Sequence, residues 1–290
     1  MAQPLRSTVC VAGAPSLGDL GVDSVSWKVH REMALLLGWA RAILLQLAHP
    51  LVGRGVADHS TFRADRFGRW RRLHSTLGAM LAMTFGPPED AQRAIAGINA
   101  IHDRVSGRLP DAAGPFPAEA SYSAHDPALL TWVHATCVES FLMAYERFVA
   151  PLTPDERDRY CAEASWIEPM LGIPLGSLPR TMTDLARYME QMYASGEIVV
   201  TDAARMLARD VVCPPVPWIL RPFVRLLELP AVGLLPPPIR ASYGFSWGPG
   251  RERCLRVSAT VLRAVVPRLP QVLRCWPRAR AAFRAKAIRS

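Results

Sequence analysis

An all-α, single-domain helical bundle with globin-like packing is what this sequence predicts, and three observations carry that expectation. Apolar residues recur at steps of three and four along most of the chain. Prolines and glycines punctuate these runs, and no alternating apolar run is long enough for a strand. The 290 residues are half apolar and a fifth charged, enough for one large core, and no linker-like segment divides them.

Taken in order, residues 1–26 read as an irregular arm rich in Gly, Pro and Ser, and residues 27–290 as one domain. The first helix is expected from Ser26 to Ala48, broken at Pro50, with Arg41, Gln46 and His49 interrupting a run of Leu and Ala. After a connection through Val56, Asp58 or Ser60 is expected to cap a second helix reaching Phe85, where Gly86 and two prolines stop it. That helix carries Arg63, Arg66, Arg69, Arg71 and Arg72 in its first half and turns apolar beyond Leu77. A third helix opens on Pro88-Glu89-Asp90 and continues to Gly107, with His102 on the same stripe as Ala91, Ile95 and Ile98. Leu109 to Ser123, with Phe116 and Tyr122 its large side chains, reads first as a plain surface loop and second as a lid or wall over a site.

Asp126-Pro127 caps the fourth helix, whose seam runs Leu130, His134, Val138, Phe141, Tyr145. Thr153 and Glu156 form a capping box for a fifth, ending near Trp166. Shorter helices follow from Thr183, from Thr201, from Trp218 to Glu228, from Gly250 to Val266 and from Pro277 onward.

The charge is uneven. From Arg251 onward eleven Lys and Arg face one acid, so this tail carries +10 of the net +9 and the preceding 250 residues sum to −1. The tail's basic residues alternate with Val, Leu, Ala, Trp and Phe at helical spacing, which points to a solvated helix face and not to a nucleic-acid partner. Peripheral membrane contact through Pro217 to Pro238, where Trp, Phe, Leu and Pro surround Arg221 and Arg225, stays open. Six scattered cysteines without a CxxC pair fit free thiols of a reducing compartment, and no signal or spanning segment is evident, so a cytoplasmic setting is expected.

Signatures of nucleotide binding, zinc proteolysis and serine hydrolysis are absent, and carboxylates are too sparse in the central helices for a di-iron site. What remains is histidine on buried helix faces near arginines. That combination suits haem, which takes a neutral imidazole on iron, apolar walls around the macrocycle and cationic donors on its propionates. A hydrogen-bonded core role remains the competing reading for each histidine.

Five segments, AHPLVGRGVADHSTF, FRADRFGRWRR, FGPPEDAQRAIAGINAIHDRVSG, SAHDPALLTWVHATCVESFLMAYERF and LPPPIRASYGFSW, resemble in order the DUF2236 family. This is the catalytic-domain family of the fungal MpaB oxygenase and bacterial rubber oxygenase, and the likeness runs from about Trp27 to Pro277. The resemblance implies an all-helical haem b protein that uses O₂ on a hydrophobic, isoprenoid-like double bond. It implies His102 as the iron ligand, His134 as a pocket residue able to donate or move a proton, and Arg69 with Arg72 as distal or propionate-binding cations. His49 and His59 are the runner-up ligands.

Where rubber oxygenase carries a lysine able to take the sixth iron position, this chain has Arg72, followed by Leu73. Arginine stays protonated and cannot ligate, so an open or water-bound distal site and a substrate smaller than rubber are expected. A haem peroxidase or peroxygenase, a non-catalytic haem- or lipid-binding protein, and a purely structural protein are the alternatives. Oligomeric state is not legible.

Overall fold

The computed structural model describes residues 21–59, 68–213 and 221–287, without the side chains of 68–73, 221–226 and 286–287. Most of the expected arm, the Ser60 cap, and Trp218 therefore lie outside the described residues, as does part of the Pro217–Pro238 stretch. The described chain is helical throughout apart from one small hairpin, so the all-α expectation holds.

The expected first helix is in fact two. Ser24 Oγ accepts from Trp27 N–H to cap α1 (Val25–His30), a 3₁₀ turn follows at Met33–Leu35, and α2 runs from Leu36 to Leu47. Glu32 makes the break: its backbone is extended and its fully buried carboxylate lies between Arg31 Nε (3.2 Å) and Arg274 Nη2 (3.1 Å). The helix is interrupted to seat a carboxylate whose second partner comes from the far end of the chain.

Pro50 ends α2 as expected, but it also starts α3 (Pro50–His59) where a connection was read, because a proline at a first helical position has no amide to satisfy. The two helical segments meet at 104°. Next come α4 (Gly68–Phe85) and α5 (Pro88–His102), joined through Gly86-Pro87 into an antiparallel hairpin. α5 stops at His102 instead of continuing to Gly107, and β1 (Ser106–Arg108) pairs antiparallel with β2 (Ser121–Ser123), Gly107 opposite Tyr122. Strands of three residues are too short to leave an alternating pattern.

α6 (Pro127–Phe148) is capped by Asp126, which accepts from Ala128 N–H at 2.8 Å, and α7 (Pro154–Ala164) by the Thr153–Glu156 box. Around these pack α8 (Glu168–Leu171), α9 (Met182–Ala194), α10 (Asp202–Val212), α11 (Arg221–Gly233), α12 (Pro237–Ser242), α13 (Pro249–Val265), α14 (Gln271–Arg274) and α15 (Pro277–Ala287). Among the described residues no single helix is long and apolar enough to cross a membrane.

The core centres on α2 against α6, through Leu44, Leu45, Trp132, Ala135, Val138 and Phe141. Gly38 sets how close the two helices come: a Cβ there would lie 2.5 Å from the Ser140 carbonyl oxygen and 2.7 Å from Ala144 Cβ. Arg41, one turn on and 1% exposed, donates from Nε to the Leu234 carbonyl (2.7 Å), from Nη1 to Ser140 Oγ (2.7 Å) and from Nη2 to Glu139 (2.8 Å). Gln46 Nε2 donates to the Val133 carbonyl and Thr136 Oγ1, both at 3.2 Å. Two of the three polar interruptions in this helix are thus fully employed in holding α6.

Gly38→Val forces α2 from α6 and is expected to lower the unfolding free energy by about 1–3 kcal/mol. An unchanged midpoint in urea unfolding would mean that the crossing is looser than this geometry.

Candidate functional site

Four histidines surround the β1–β2 hairpin, and the partners of each ring nitrogen sort them. His102, the last residue of α5, is half-buried, and its Nδ1 is buried with no hydrogen-bond partner. The His125 ring stands edge-on to it at 5.9 Å, and Asp103, the nearest carboxylate, is bonded to His125 Nε2 at 2.7 Å. Burial, reinforced by the neighbouring His125 and opposed by Asp103, pushes the His102 pKa down, so the ring is neutral at neutral pH. A neutral imidazole with an unclaimed nitrogen is competent to bind a metal.

His49, at the α2–α3 corner, is 1% exposed and also has an unpartnered buried Nδ1, while its Nε2 lies 3.4 Å from Glu197. Phe116 stacks obliquely on its ring at 5.2 Å. The Leu109–Ser123 loop thus places Phe116 over His49. Gly114 allows this approach: its φ is +57°, and a Cβ would meet the Gly196 carbonyl at 2.7 Å.

His59 is exposed, and its Nε2 donates to the Ser106 carbonyl at 3.0 Å, which fixes the proton on that nitrogen. His134 lies away from the hairpin on α6. Its Nε2 donates to the Ala164 carbonyl at 3.0 Å, and it borders an internal gap with no room for a water molecule, beside Cys161 and Leu185. Both rings have the look of satisfied structural histidines.

The side chains of Arg69 and Arg72 lie outside the described residues, but their helix is placed. The two-residue turn of the α4–α5 hairpin returns His102 to the end of α4 that begins at Gly68. Both arginine positions and His102 thus share one end of the hairpin. Among the described residues no group of three or more His, Cys, Asp or Glu could hold a metal ion, so a metal here would rest on a single imidazole.

Sequence reading missed four participants. Tyr122 donates to Asp58 Oδ2 at 2.6 Å and crosses the hairpin so closely that a Cβ on Gly107 would sit 2.5 Å from its hydroxyl. Burial first, then Asp58, pushes its pKa up to about 12, so it stays protonated. His125 and Glu197 flank the two unclaimed imidazoles. His30, whose signal was only its place inside an apolar helix, accepts from Tyr160 O–H at Nε2 (2.7 Å) and donates from Nδ1 to Thr84 Oγ1 (3.1 Å), whose hydroxyl donates to the Met80 carbonyl.

Fold and site together define an all-α, single-domain protein with a ligand-competent imidazole at one end of a helical hairpin. Residues 27–264 match the family described as ER-bound oxygenase mpaB/B'/Rubber oxygenase, catalytic domain, and the chain belongs to that family. It is a family of oxygenases, which sets the activity class. The chain is similar to the uncharacterized proteins Mb2261 of Mycobacterium bovis and Rv2237 of Mycobacterium tuberculosis, each 26% identical over 241 residues, 82% of this chain and 90% of theirs. No solved structure matches it.

Burial lowers the pKa of both His30 and His134 from an ordinary 6.5 to about 4, with each other's proximity adding to the effect on His30. The unfolded chain binds these protons below about 6.5 and the folded chain does not, so the stabilisation is complete above that pH and is lost as the pH falls toward 4. The cost is on the order of 3 kcal/mol per group at the low limit. His134→Gln, which keeps a donor for Ala164 but cannot titrate, is expected to shrink the drop in melting temperature between pH 7 and pH 4.5. Parallel melting curves for variant and wild type would show that His134 carries no such linkage.

Proposed function

We propose that this chain is a haem b-dependent oxygenase acting with O₂ on a small, hydrophobic, unsaturated substrate, and that His102 holds the iron. The observation that carries the reading is the buried, unpartnered Nδ1 of a neutral His102 at the hairpin end shared with Arg69 and Arg72. The donor set fits the group: haem iron needs one neutral imidazole, its propionates need cations, and its faces need apolar walls. Leu51, Leu109, Tyr122 and Leu129, with Val105 packed against them, form a small separate core under the hairpin and supply such a wall. When bound, the haem supplies activation of O₂ and the oxidising chemistry at a carbon–carbon double bond.

The chain's own residues orient and exclude. His125 stands edge-on against the His102 ring and bonds Asp103, the carboxylate that only partly offsets the burial holding His102 neutral. Arg69 and Arg72 provide permanent positive charge for a propionate, and neither can lose a proton to become a ligand. Neither arginine would compete with O₂ or substrate for the group's iron. Free thiols at Cys137, Cys161, Cys254 and Cys275 support a reducing, cytoplasmic setting.

The test is the absorption spectrum of protein expressed with a haem precursor, before and after dithionite and carbon monoxide, for wild type, His102→Ala and His49→Ala. A Soret band that shifts with carbon monoxide, lost in His102→Ala and kept in His49→Ala, is expected. The opposite pattern moves the iron to His49, and wild-type protein that stays colourless after reconstitution ends the haem reading. With haem established, O₂ uptake on unsaturated terpenes is expected without added H₂O₂, and a requirement for peroxide would make the enzyme a peroxygenase.

A further inference from the structure

A groove of about 300 Å³ runs between α1, α7 and α15, away from His102 and the β1–β2 hairpin. Trp27 at its edge packs on Phe85 at 5.0 Å, and Arg278 on α15 pairs with Asp90, so the groove adjoins the turn end of the α4–α5 hairpin. His102 closes the other end of α5, roughly 20 Å away by helix length.

Four cations line this groove, and three are committed. Lys28 Nζ lies 2.5 Å from Glu156, Arg31 Nε 3.2 Å from Glu32, and Arg159 Nη2 3.7 Å from Glu163. Arg280 is the exception: it is half-buried, its Nε is buried without an acceptor, and its guanidinium makes no hydrogen bond or ion pair among the described residues. A buried guanidinium nitrogen left without an acceptor forfeits its hydration and gains nothing in return. Val22, Val25, Trp27 and Phe283 give the same space an apolar side, beside the polar Ser24 and Gln271. Its volume matches about ten water-sized atoms.

We propose that this groove is a binding site for an amphipathic organic anion, whose carboxylate or phosphate head pairs with Arg280 and whose short apolar body lies along Trp27 and Phe283. Planar guanidinium is suited to bidentate pairing with either head group. With Lys28, Arg31 and Arg159 each paired to a carboxylate, Arg280 is the lining cation left to meet an incoming anion. The site is independent of the iron and of the oxygenase reaction.

The experiment is calorimetric titration of the full chain with octanoate, octyl phosphate and octanol, in wild type and Arg280→Gln, with a ligand-free melting curve for each. One-to-one binding of either anion, weakened at least tenfold by Arg280→Gln, is expected, and the tighter of the two names the head group. Ligand-free Arg280→Gln is expected to melt at the wild-type temperature or above it, because an unpaired charge is removed. Octanol binding as tightly as octanoate, anion affinity unchanged in the variant, or no anion binding at all would overturn the site. So would a fall of several degrees in the ligand-free variant, since Arg280 would then be paired within the chain itself.

Discussion

The contact that everything else depends on is α2 laid against α6, closed by Gly38 and pinned by Arg41. A cation buried this fully is tolerated only if each of its faces finds an acceptor. Arg41 finds three, two on α6 and one just past the end of α11, so one side chain on α2 fixes how three elements meet. Once α6 is held in this register, its capped N-terminus carries Asp126 and the adjacent His125 toward His102, while α3 leaves the corner at His49 through Pro50 and carries His59 to the hairpin. The site is a consequence of that one crossing.

The same accounting of partners separates structural histidines from candidate ligands. His30, His59 and His134 each hold a protein acceptor or donor on a ring nitrogen, and the two most deeply buried of them are held neutral by their surroundings. His49 and His102 each keep one buried nitrogen with nothing to bond. In a well-packed protein such a nitrogen is uncommon, because a small rotation or an ordered water usually satisfies it. The two exceptions lie on opposite sides of one hairpin, within reach of a common apolar cluster of Leu51, Leu109, Tyr122 and Leu129, which Val105 and Phe116 extend toward each of them.

What the sequence made legible was local. The Thr153–Glu156 box, the Asp126 cap and the Pro88 start depend on residues within one turn of each other, and all three are found as read. What it hid was long-range or too short. The break at Glu32 depends on Arg274, from the far end of the chain, and no periodicity could announce it. The hairpin strands are three residues each. For the site, helical spacing placed His102 on the stripe of Ala91 and Ile95, and family likeness singled it out, but only packing reveals which ring nitrogens lack partners. His125 was concealed because it sits beside a capping aspartate and reads as part of a turn.

The basic tail shows how a charge count changes meaning once the chain is folded. Its +10 reads in the sequence as a solvated helix face, yet several of its arginines are answered from within. Arg251 pairs with Glu228, Arg274 with Glu32 and Arg278 with Asp90, so acids from three distant segments are spent on anchoring α13, α14 and α15. Arginine serves this purpose better than lysine because its fork can reach a carboxylate and a backbone carbonyl together, as Arg274 does with Glu32 and the Pro267 carbonyl at 2.9 Å. Arg280 departs from this pattern, being enclosed by the same packing but offered no acid. Its exception is informative because its neighbours in the tail show what the chain does when an arginine's task is to hold the fold together.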